Sequence, residues 1–154
     1  MKKYGYLTTK IGLIEIIVVA EQVVKVSFVN TRQVAKDSSN IVVVNCLKQL
    51  AMYFDKKLSD FNLPIALKGT PFQELVWSKT CTIQFGTTLT YQELAQKIGY
   101  PKASRAVGSA LSKNLLAIIV PCHRVVNKNK NIVNYLYGAH IKNFLGFSPF
   151  MYYF

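Results

Sequence analysis

Acidic side chains are scarce in this sequence of 154 residues. Seven Asp and Glu stand against nineteen Lys and Arg, which gives a formal net charge of +12 at pH 7. Only Glu74 and Glu93 lie beyond residue 68. A chain with this balance is expected to bind polyanions such as nucleic acid or an anionic membrane surface, and a basic surface kept for solubility is the alternative. Because 51% of the residues are hydrophobic, the chain can bury a core and disorder is not expected.

Cysteine and long apolar runs are also few. Three cysteines, an odd number, argue against a disulfide framework and indicate a reducing compartment. No stretch reaches the roughly 18 uncharged apolar residues of a membrane helix. The start with Lys2 and Lys3 resembles the head of a signal peptide, but Lys10 and Glu15 interrupt the apolar stretch that should follow. We therefore expect a soluble, cytoplasmic protein.

The first 62 residues are expected to form a sheet-and-helix domain. Runs rich in β-branched and aromatic residues at 11–20 and 23–29 predict an antiparallel hairpin or meander. Between Asn40 and Lys57, apolar residues fall at the spacing of one helix face. Those residues are Val43, Leu47, Leu50 and Phe54. Residues 58–69 show no clear period and contain Pro and Gly, so they predict a linker.

Residues 69–154 are expected to form a second domain that begins with helices. Thr70, Pro71 and Gln73 combine an N-cap, a proline at the first helical position and a capping box. Phe72, Leu75 and Val76 are predicted to form the buried stripe of this helix. Thr90 and Glu93 repeat the capping box, and Gly99 is predicted to end the second helix.

A further helix is predicted over residues 103–113, closely following the second one. Two short helices with a tight connection are typical of helix-turn-helix units. This helix carries Arg105 among small residues, which permit either close approach to a nucleic-acid groove or helix packing. Residues 115–120 are apolar and β-branched, so they predict a buried strand that ends before Pro121.

Cys122 follows that predicted strand directly, beside His123 and Arg124. A thiol reacts as thiolate, and an electropositive setting lowers the thiol pKa. Neighbouring side chains on an extended segment point in opposite directions, so His123 would reach the thiol through a turn or a bridging water. A packed core cysteine is the alternative, and it is the interpretation we favour for Cys46 and Cys81.

From Gly69 to about Leu145 the sequence resembles the O6-alkylguanine-DNA alkyltransferases. The motifs that carry this resemblance keep the family spacing. They are Gly69-Thr-Pro-Phe-Gln73 with Val76-Trp77, Thr90-Tyr91-Gln-Glu-Leu94, Lys102-Ala-Ser-Arg105-Ala-Val-Gly108, Asn114 and Pro121-Cys-His-Arg-Val-Val126, with Tyr135, Gly138, Lys142 and Leu145 downstream.

The resemblance implies DNA repair by irreversible transfer of an alkyl group, in a single turnover, from guanine O6 to Cys122. O4-alkylthymine is a further possible substrate. By the same resemblance His123 acts as the base through a water and Asn114 orders the turn around the cysteine. Tyr91 would hydrogen-bond the base or press its phosphate, and it could protonate the leaving guanine.

The resemblance also implies that duplex DNA is the partner and that the target nucleotide is flipped out. Arg105 would fill the gap in the stack from a helix in the minor groove, with Ala106, Gly108 and Ser109 on its close-approaching surface. Basic residues would bind phosphates, so binding should weaken as salt rises. The candidates are Lys102, Lys113, Lys128 and Lys130, and Arg124 is a further expected DNA-binding residue.

The chain departs from the family pattern at two places. Pro149 occupies the position of a glutamate that orients the histidine in the family, and no side-chain carboxylate follows Glu93. The expected substrate pocket has Tyr91, Val125, Tyr135, Leu136 and Tyr137 in its wall. The bulk of Tyr137 predicts poor acceptance of benzyl groups.

The expected fold is α+β. A small ribonuclease-H-like antiparallel sheet with a helix precedes a winged-helix-like helix-turn-helix domain. No cofactor or metal is expected, because Cys46 and Cys81 lack histidine partners at ligand spacing, and the protein is expected to act as a monomer. A damage-binding or regulatory protein without transfer chemistry, and a cysteine hydrolase that uses Cys122 and His123, are the alternative functions.

Overall fold

The computed structural model describes residues 1–37 and 39–128, which belong to two compact units. The first unit comprises Met1–Ala66 together with Leu115–Ala117. The second comprises Leu67–Asn114 and the described residues that follow Ala117. None of the helices in this described part combines the length and apolar character needed to cross a bilayer.

The first unit is built on a three-stranded antiparallel meander. Its strands are β1 (Lys3–Thr9), β2 (Gly12–Val19) and β3 (Gln22–Val29), in the order β1-β2-β3. Ala20 and Glu21 form the turn between β2 and β3, and both have positive φ, as two-residue hairpin turns require. The predicted antiparallel arrangement is confirmed in its meander form.

Helix α1 (Ile41–Phe54) packs on one face of this sheet. Asn40 caps it by accepting a hydrogen bond from the Val43 backbone N–H. Val43 also approaches Gly5 of β1 so closely that a Cβ at Gly5 would lie 2.8 Å from its Cγ1 atom. The helix predicted between Asn40 and Lys57 is confirmed, and a glycine is needed where it meets the sheet.

The outer edge of β3 is closed by two short parallel bridges. The Val23 N–H donates to Pro64 and its carbonyl accepts from Ala66, while Val26 bonds Leu115 and Ala117 in the same way. Outward-facing backbone groups on a strand normally recur every second residue. A β-bulge, seen as a register shift opposite Ile17 and Val18, changes this phase and lets two residues three apart face the same edge.

Three short helices and a two-stranded parallel ladder form the second unit. Capping boxes at Thr70 and Thr90 start the first two helices, as predicted, and Gly99 with φ +84° follows the second. The elements are α2 (Pro71–Thr80), β4 (Leu89–Thr90), α3 (Tyr91–Lys97), α4 (Ser104–Ser112) and β5 (Val125–Val126). Helices α3 and α4 are the expected pair with a tight connection, so the α+β fold class is confirmed.

Two local predictions are wrong. The buried face of α2 is Val76, Trp77 and Thr80, whereas Leu75 is 40% exposed. Residues 115–120 do not form a strand: Leu116 makes an isolated bridge, and Ile118 turns the chain with φ +72°. A short apolar run fits a strand or a buried irregular segment equally well, and periodicity alone cannot separate them.

Candidate active site and nucleic-acid interface

Cys122 begins a single 3-10 turn that ends at Arg124. The turn is closed by hydrogen bonds from the Arg124 N–H to the Pro121 carbonyl, at 2.9 Å, and from the Val125 N–H to the Cys122 carbonyl. Cys122 is half-buried, whereas Pro121 and His123 on either side of it are buried. The turn replaces the extended geometry assumed from the sequence and brings a partly accessible thiol to the surface of a packed loop.

The Asn114 side chain lies against this thiol. Its amide Nδ2 atom donates to the Val120 carbonyl at 3.1 Å and to the Cys122 Sγ atom at 3.3 Å. Asn114 is itself only 6% exposed. A donor aimed at sulfur stabilises the thiolate relative to the thiol, so the contact favours the nucleophilic form of Cys122.

His123 is almost fully buried in the same turn, at 1% exposure. The two carboxylates of the second unit are engaged elsewhere: Glu74 accepts from the Gly69 N–H and Glu93 accepts from the Thr90 N–H. Both carboxylates therefore serve the first turns of α2 and α3. Pro149, which occupies the position of the glutamate that orients the histidine in the family, lies outside the described residues.

Tyr91 is placed near Cys122 by the β4–β5 ladder. Leu89 pairs with Val125 and Thr90 with Val126, so the start of α3 and the end of the cysteine turn lie side by side. Burial raises the pKa of the Tyr91 phenol, and the negative charge of Cys122 raises it further. The phenol therefore stays protonated in the presence of the thiolate and can donate a proton.

Tyr91 also lines an open groove of about 520 Å³. Ser104 from the first turn of α4 contributes to the wall, as do Asn127 and Lys128, which follow β5. Most side chains in the wall are polar, and they include both the Glu93 carboxylate and the Lys128 ammonium, so the groove offers hydrogen-bonding groups to a polar ligand.

One face of α4 is open to solvent beside this groove. Arg105, Ala106 and Ser109 are exposed, Gly108 is half-exposed, and Val107, Ala110 and Leu111 are buried. A Cβ at Gly108 would lie 3.8 Å from the Tyr91 ring, which places the middle of the helix next to the phenol. The structure thus brings the predicted helix surface and Tyr91 together. Lys102, Lys113 and Lys128 are exposed as well.

Trp77 packs against the buried side of α4. Its indole Nε1 atom donates to the Ala110 carbonyl at 2.8 Å, and the ring is 4% exposed. Asn114, which contacts the thiol, lies four residues beyond Ala110. The sequence motif contained Trp77, but the motif did not indicate this contact because its partner is a backbone atom 33 residues away.

Arg124, which was expected to bind DNA, does not face solvent. The side chain is 7% exposed, its Nη1 atom donates to the Ile83 carbonyl at 2.7 Å, and its Cζ atom lies 5.5 Å from the Phe85 ring centroid. Val125 is completely buried in the ladder. Local sequence gave no signal for the Ile83 or Phe85 contacts.

The other two cysteines differ from each other. Cys46 is fully buried in α1, and burial raises the pKa of its thiol to about 12. Cys81 is exposed at the end of α2, so its prediction as a core residue is wrong.

Within the described part of the chain, no group of three or more His, Cys, Asp or Glu side chains is placed to hold a metal ion. Predictions for Lys130, Tyr135, Leu136 and Tyr137 fall outside the described residues.

Two family models match the chain. Residues 2–67 match the ribonuclease-like domain of 6-O-methylguanine DNA methyltransferase, and residues 71–146 match the DNA-binding domain of the same family. A probable methylated-DNA–protein-cysteine methyltransferase of Acanthamoeba polyphaga mimivirus is 46% identical over 147 residues, 93% of each chain. The methylated-DNA–protein-cysteine methyltransferase of Methanosarcina barkeri is 48% identical over 98 residues, which are 64% of this chain and 62% of that protein.

Solved structures agree with these matches. The O6-methylguanine methyltransferase of Mycobacterium tuberculosis superposes with a TM-score of 0.85 at 32% identity, covering 94% of this chain and 90% of that one. A structure of the M. tuberculosis protein in complex with DNA gives the same TM-score at 33% identity, covering 93% and 89%. With the Cys122 turn, Tyr91 and α4 arranged as described, this chain belongs to the 6-O-methylguanine DNA methyltransferase family.

Proposed function

We propose that this protein repairs DNA by moving an alkyl group from guanine O6 to Cys122, once per molecule. The observation that carries the proposal is the hydrogen bond from Asn114 to the Cys122 Sγ atom in a turn that also contains buried His123. Relatives with this name and a DNA complex of a similar protein support the assignment. The proposed substrate is double-stranded DNA, and the protein acts on it as a monomer.

The chemical step is an in-line displacement at the alkyl carbon. The thiol proton leaves toward His123, and the Cys122 sulfur then forms a bond to the alkyl carbon as that carbon's bond to guanine O6 breaks. The electron pair remains on the guanine, which takes a proton, and Tyr91 is the proposed donor because its phenol stays protonated. The products are S-alkyl cysteine and guanine. The carbon–sulfur bond of the thioether is stable, so the thiol is not regenerated and each molecule acts once.

The target base must leave the duplex before it can reach a thiol held in a packed loop. Flipping costs a few kcal/mol. We propose that exposed Arg105 fills the vacated position in the stack while the small residues of α4 allow the helix to enter a groove. Lys102, Lys113 and Lys128 are proposed phosphate contacts, so the affinity should fall steeply with salt.

Mass measurement of the acceptor peptide tests the proposal. The protein is incubated with duplex DNA containing O6-methylguanine and digested, and the peptide that holds Cys122 is weighed. We expect a gain of one methyl group on Cys122, no gain on Cys46 or Cys81, and no gain anywhere with undamaged duplex. The Cys122→Ala variant should lose transfer completely and keep its affinity for the duplex.

Tight binding without any methyl gain would overturn the transfer proposal in favour of a damage-binding protein. Turnover of an ester or amide substrate that depends on Cys122 would instead identify a hydrolase. A methyl group found on another cysteine would overturn the assignment of the acceptor.

A further inference from the structure

Arg124 is a charged residue in the interior of the second unit. It is 7% exposed and lies two residues after Cys122. Within residues 1–37 and 39–128, no carboxylate comes within ion-pair distance of its guanidinium. Among the described residues, its guanidinium donates a hydrogen bond to the Ile83 carbonyl and lies over the Phe85 ring. Its charge also partly offsets the rise that burial causes in the pKa of the Cys81 thiol.

These contacts fix the guanidinium firmly. A guanidinium cannot lose its charge inside a protein, and a buried charge is costly unless hydrogen bonds or a π face offset the lost water. A carbonyl at 2.7 Å and an aromatic ring at 5.5 Å supply such compensation where the guanidinium lies. Moving the turn would separate Arg124 from both partners, so the contacts resist displacement of the turn.

Arg124 joins two segments that carry different parts of the proposed chemistry. On its own side, Cys122–Arg124 is the turn that holds the thiol. On the other side, Ile83 and Phe85 lie between α2 and β4, and β4 leads directly into Tyr91. The β4–β5 ladder has two residue pairs, and such a short ladder holds the two segments together only weakly. The Arg124 contact is a second tie between the same two segments.

We propose that Arg124 is a positioning residue that sets the Cys122 sulfur relative to the Tyr91 phenol by tying the cysteine turn to the Ile83–Phe85 segment. The inference rests on the proposed transfer function. It assigns to Arg124 a role inside the protein and none at the DNA phosphates. Loss of the tie should therefore slow the chemical step and leave DNA binding unchanged.

Single-turnover kinetics separate these two effects. The transfer rate is measured over a range of concentrations of duplex containing O6-methylguanine, which gives a limiting rate and a dissociation constant for each variant. For Arg124→Met we expect a limiting rate lower by roughly tenfold or more, because small misplacements of reacting groups cost one to two orders of magnitude. The dissociation constant should change by less than about twofold. Arg124→Lys, which keeps a charged donor, should recover part of the rate.

Thr80→Ala is the matched structural control. Thr80 is fully buried in the same unit, and its hydroxyl donates to the Val76 carbonyl of its own helix. We expect it to lower thermal stability and to leave the limiting rate intact. Phe85→Leu, which keeps the Ile83 hydrogen bond but removes the ring, provides a milder variant should Arg124→Met fail to fold.

Four outcomes would overturn the inference. The first is an unchanged limiting rate in Arg124→Met, or in Phe85→Leu and Arg124→Lys if the methionine variant does not fold. The second is an equal loss of rate in Thr80→Ala, which would reduce the effect to stability. The third is a raised dissociation constant with a shallower salt dependence and a normal limiting rate, which would show that Arg124 binds DNA. The fourth, no transfer by the unmodified protein, would refute the proposed function itself and is distinguishable from the other three.

Discussion

The interiors of the two units differ in what they bury. In the first unit the core is made of apolar side chains such as Ile14, Ile16 and Leu50, and Ser27 is the one buried polar side chain among its described residues. Among its described residues, the second unit buries four polar or charged side chains, and three of them lie within residues 114–124. They are Thr80, Asn114, His123 and Arg124.

The second unit buries polar groups, which lowers stability, in the segment that carries the proposed reaction. Buried polar groups weaken a fold unless each has a partner, and natural proteins break the rules of core composition mainly at functional sites. Asn114 and Arg124 are satisfied by backbone carbonyls and by the thiol itself. The core of the first unit is mainly apolar, so its residues should affect stability, whereas those of the cysteine segment should affect the reaction.

The largest expected effect on stability comes from Leu50 in α1. Leu50 is completely buried, so Leu50→Ala should lower the free energy of unfolding by about 2–5 kcal/mol through lost burial and a residual cavity. Denaturant unfolding monitored by circular dichroism measures it, with the partly exposed Val44→Ala on the same helix as the control. Below the unfolding transition the transfer rate should be normal. A slowed reaction in folded Leu50→Ala would contradict the prediction that core residues of the first unit affect stability alone.

A smaller loss of stability, coupled to a loss of rate, is expected for Asn114→Ala. Removing the amide takes away one of two donors to the Val120 carbonyl, which keeps the Cys122 N–H, so the loss should be roughly 0.5–1.5 kcal/mol. It also removes the donor to the Cys122 sulfur. We expect the transfer rate to fall by about tenfold. Gln49→Ala is the control, because Gln49 makes two hydrogen bonds to the Asn62 backbone in the first unit. Equal transfer rates in the two variants would contradict the role of the thiol contact.

Arg105→Ala should change the reaction with DNA without changing stability. Arg105 is exposed, so the free energy of unfolding should stay within about 0.5 kcal/mol of the original value. Transfer from duplex should slow by roughly tenfold because the flipped state loses its support, while reaction with free O6-methylguanine base should be unaffected. Lys48→Ala removes one positive charge from the exposed face of α1 in the first unit. An equal loss of the transfer rate in Lys48→Ala would show that the effect of Arg105→Ala comes from net charge and not from the position of Arg105.

The smallest effect concerns acid stability of the first unit. Asp37 accepts hydrogen bonds from the Ser39 side chain and backbone and pairs with Lys3 at 3.1 Å, and these contacts lower its pKa to about 2. Because the pKa is lower in the folded state than in the unfolded state, the contribution is present above about pH 4 and is lost as the pH falls toward 2. Asp37→Asn should flatten the decline of stability in this window, as followed by acid titration of the circular dichroism signal. An unchanged titration curve would show that the contact contributes nothing.

Local signals in the sequence predicted the elements that depend on local chemistry. The capping boxes at Thr70 and Thr90, the helix end near Gly99 and the amphipathic helix over α1 are all present, because each involves residues within a few positions of one another. The predictions failed where a distant partner decides. Leu75 stays exposed, Leu116 makes an isolated bridge to β3 where a strand over residues 115–120 was predicted, and Arg124 turns inward to Ile83.

The sequence by itself determined the helix starts at the capping boxes and the presence of a cysteine beside a histidine in a basic chain. These properties follow from residue type and short-range spacing, which are written in the order of the chain. Only the tertiary structure decided which donor reaches the sulfur, which tyrosine lies beside it and whether a guanidinium faces solvent or the interior. Those facts depend on contacts between residues 8 to 41 positions apart, and such contacts exist only after the chain has packed.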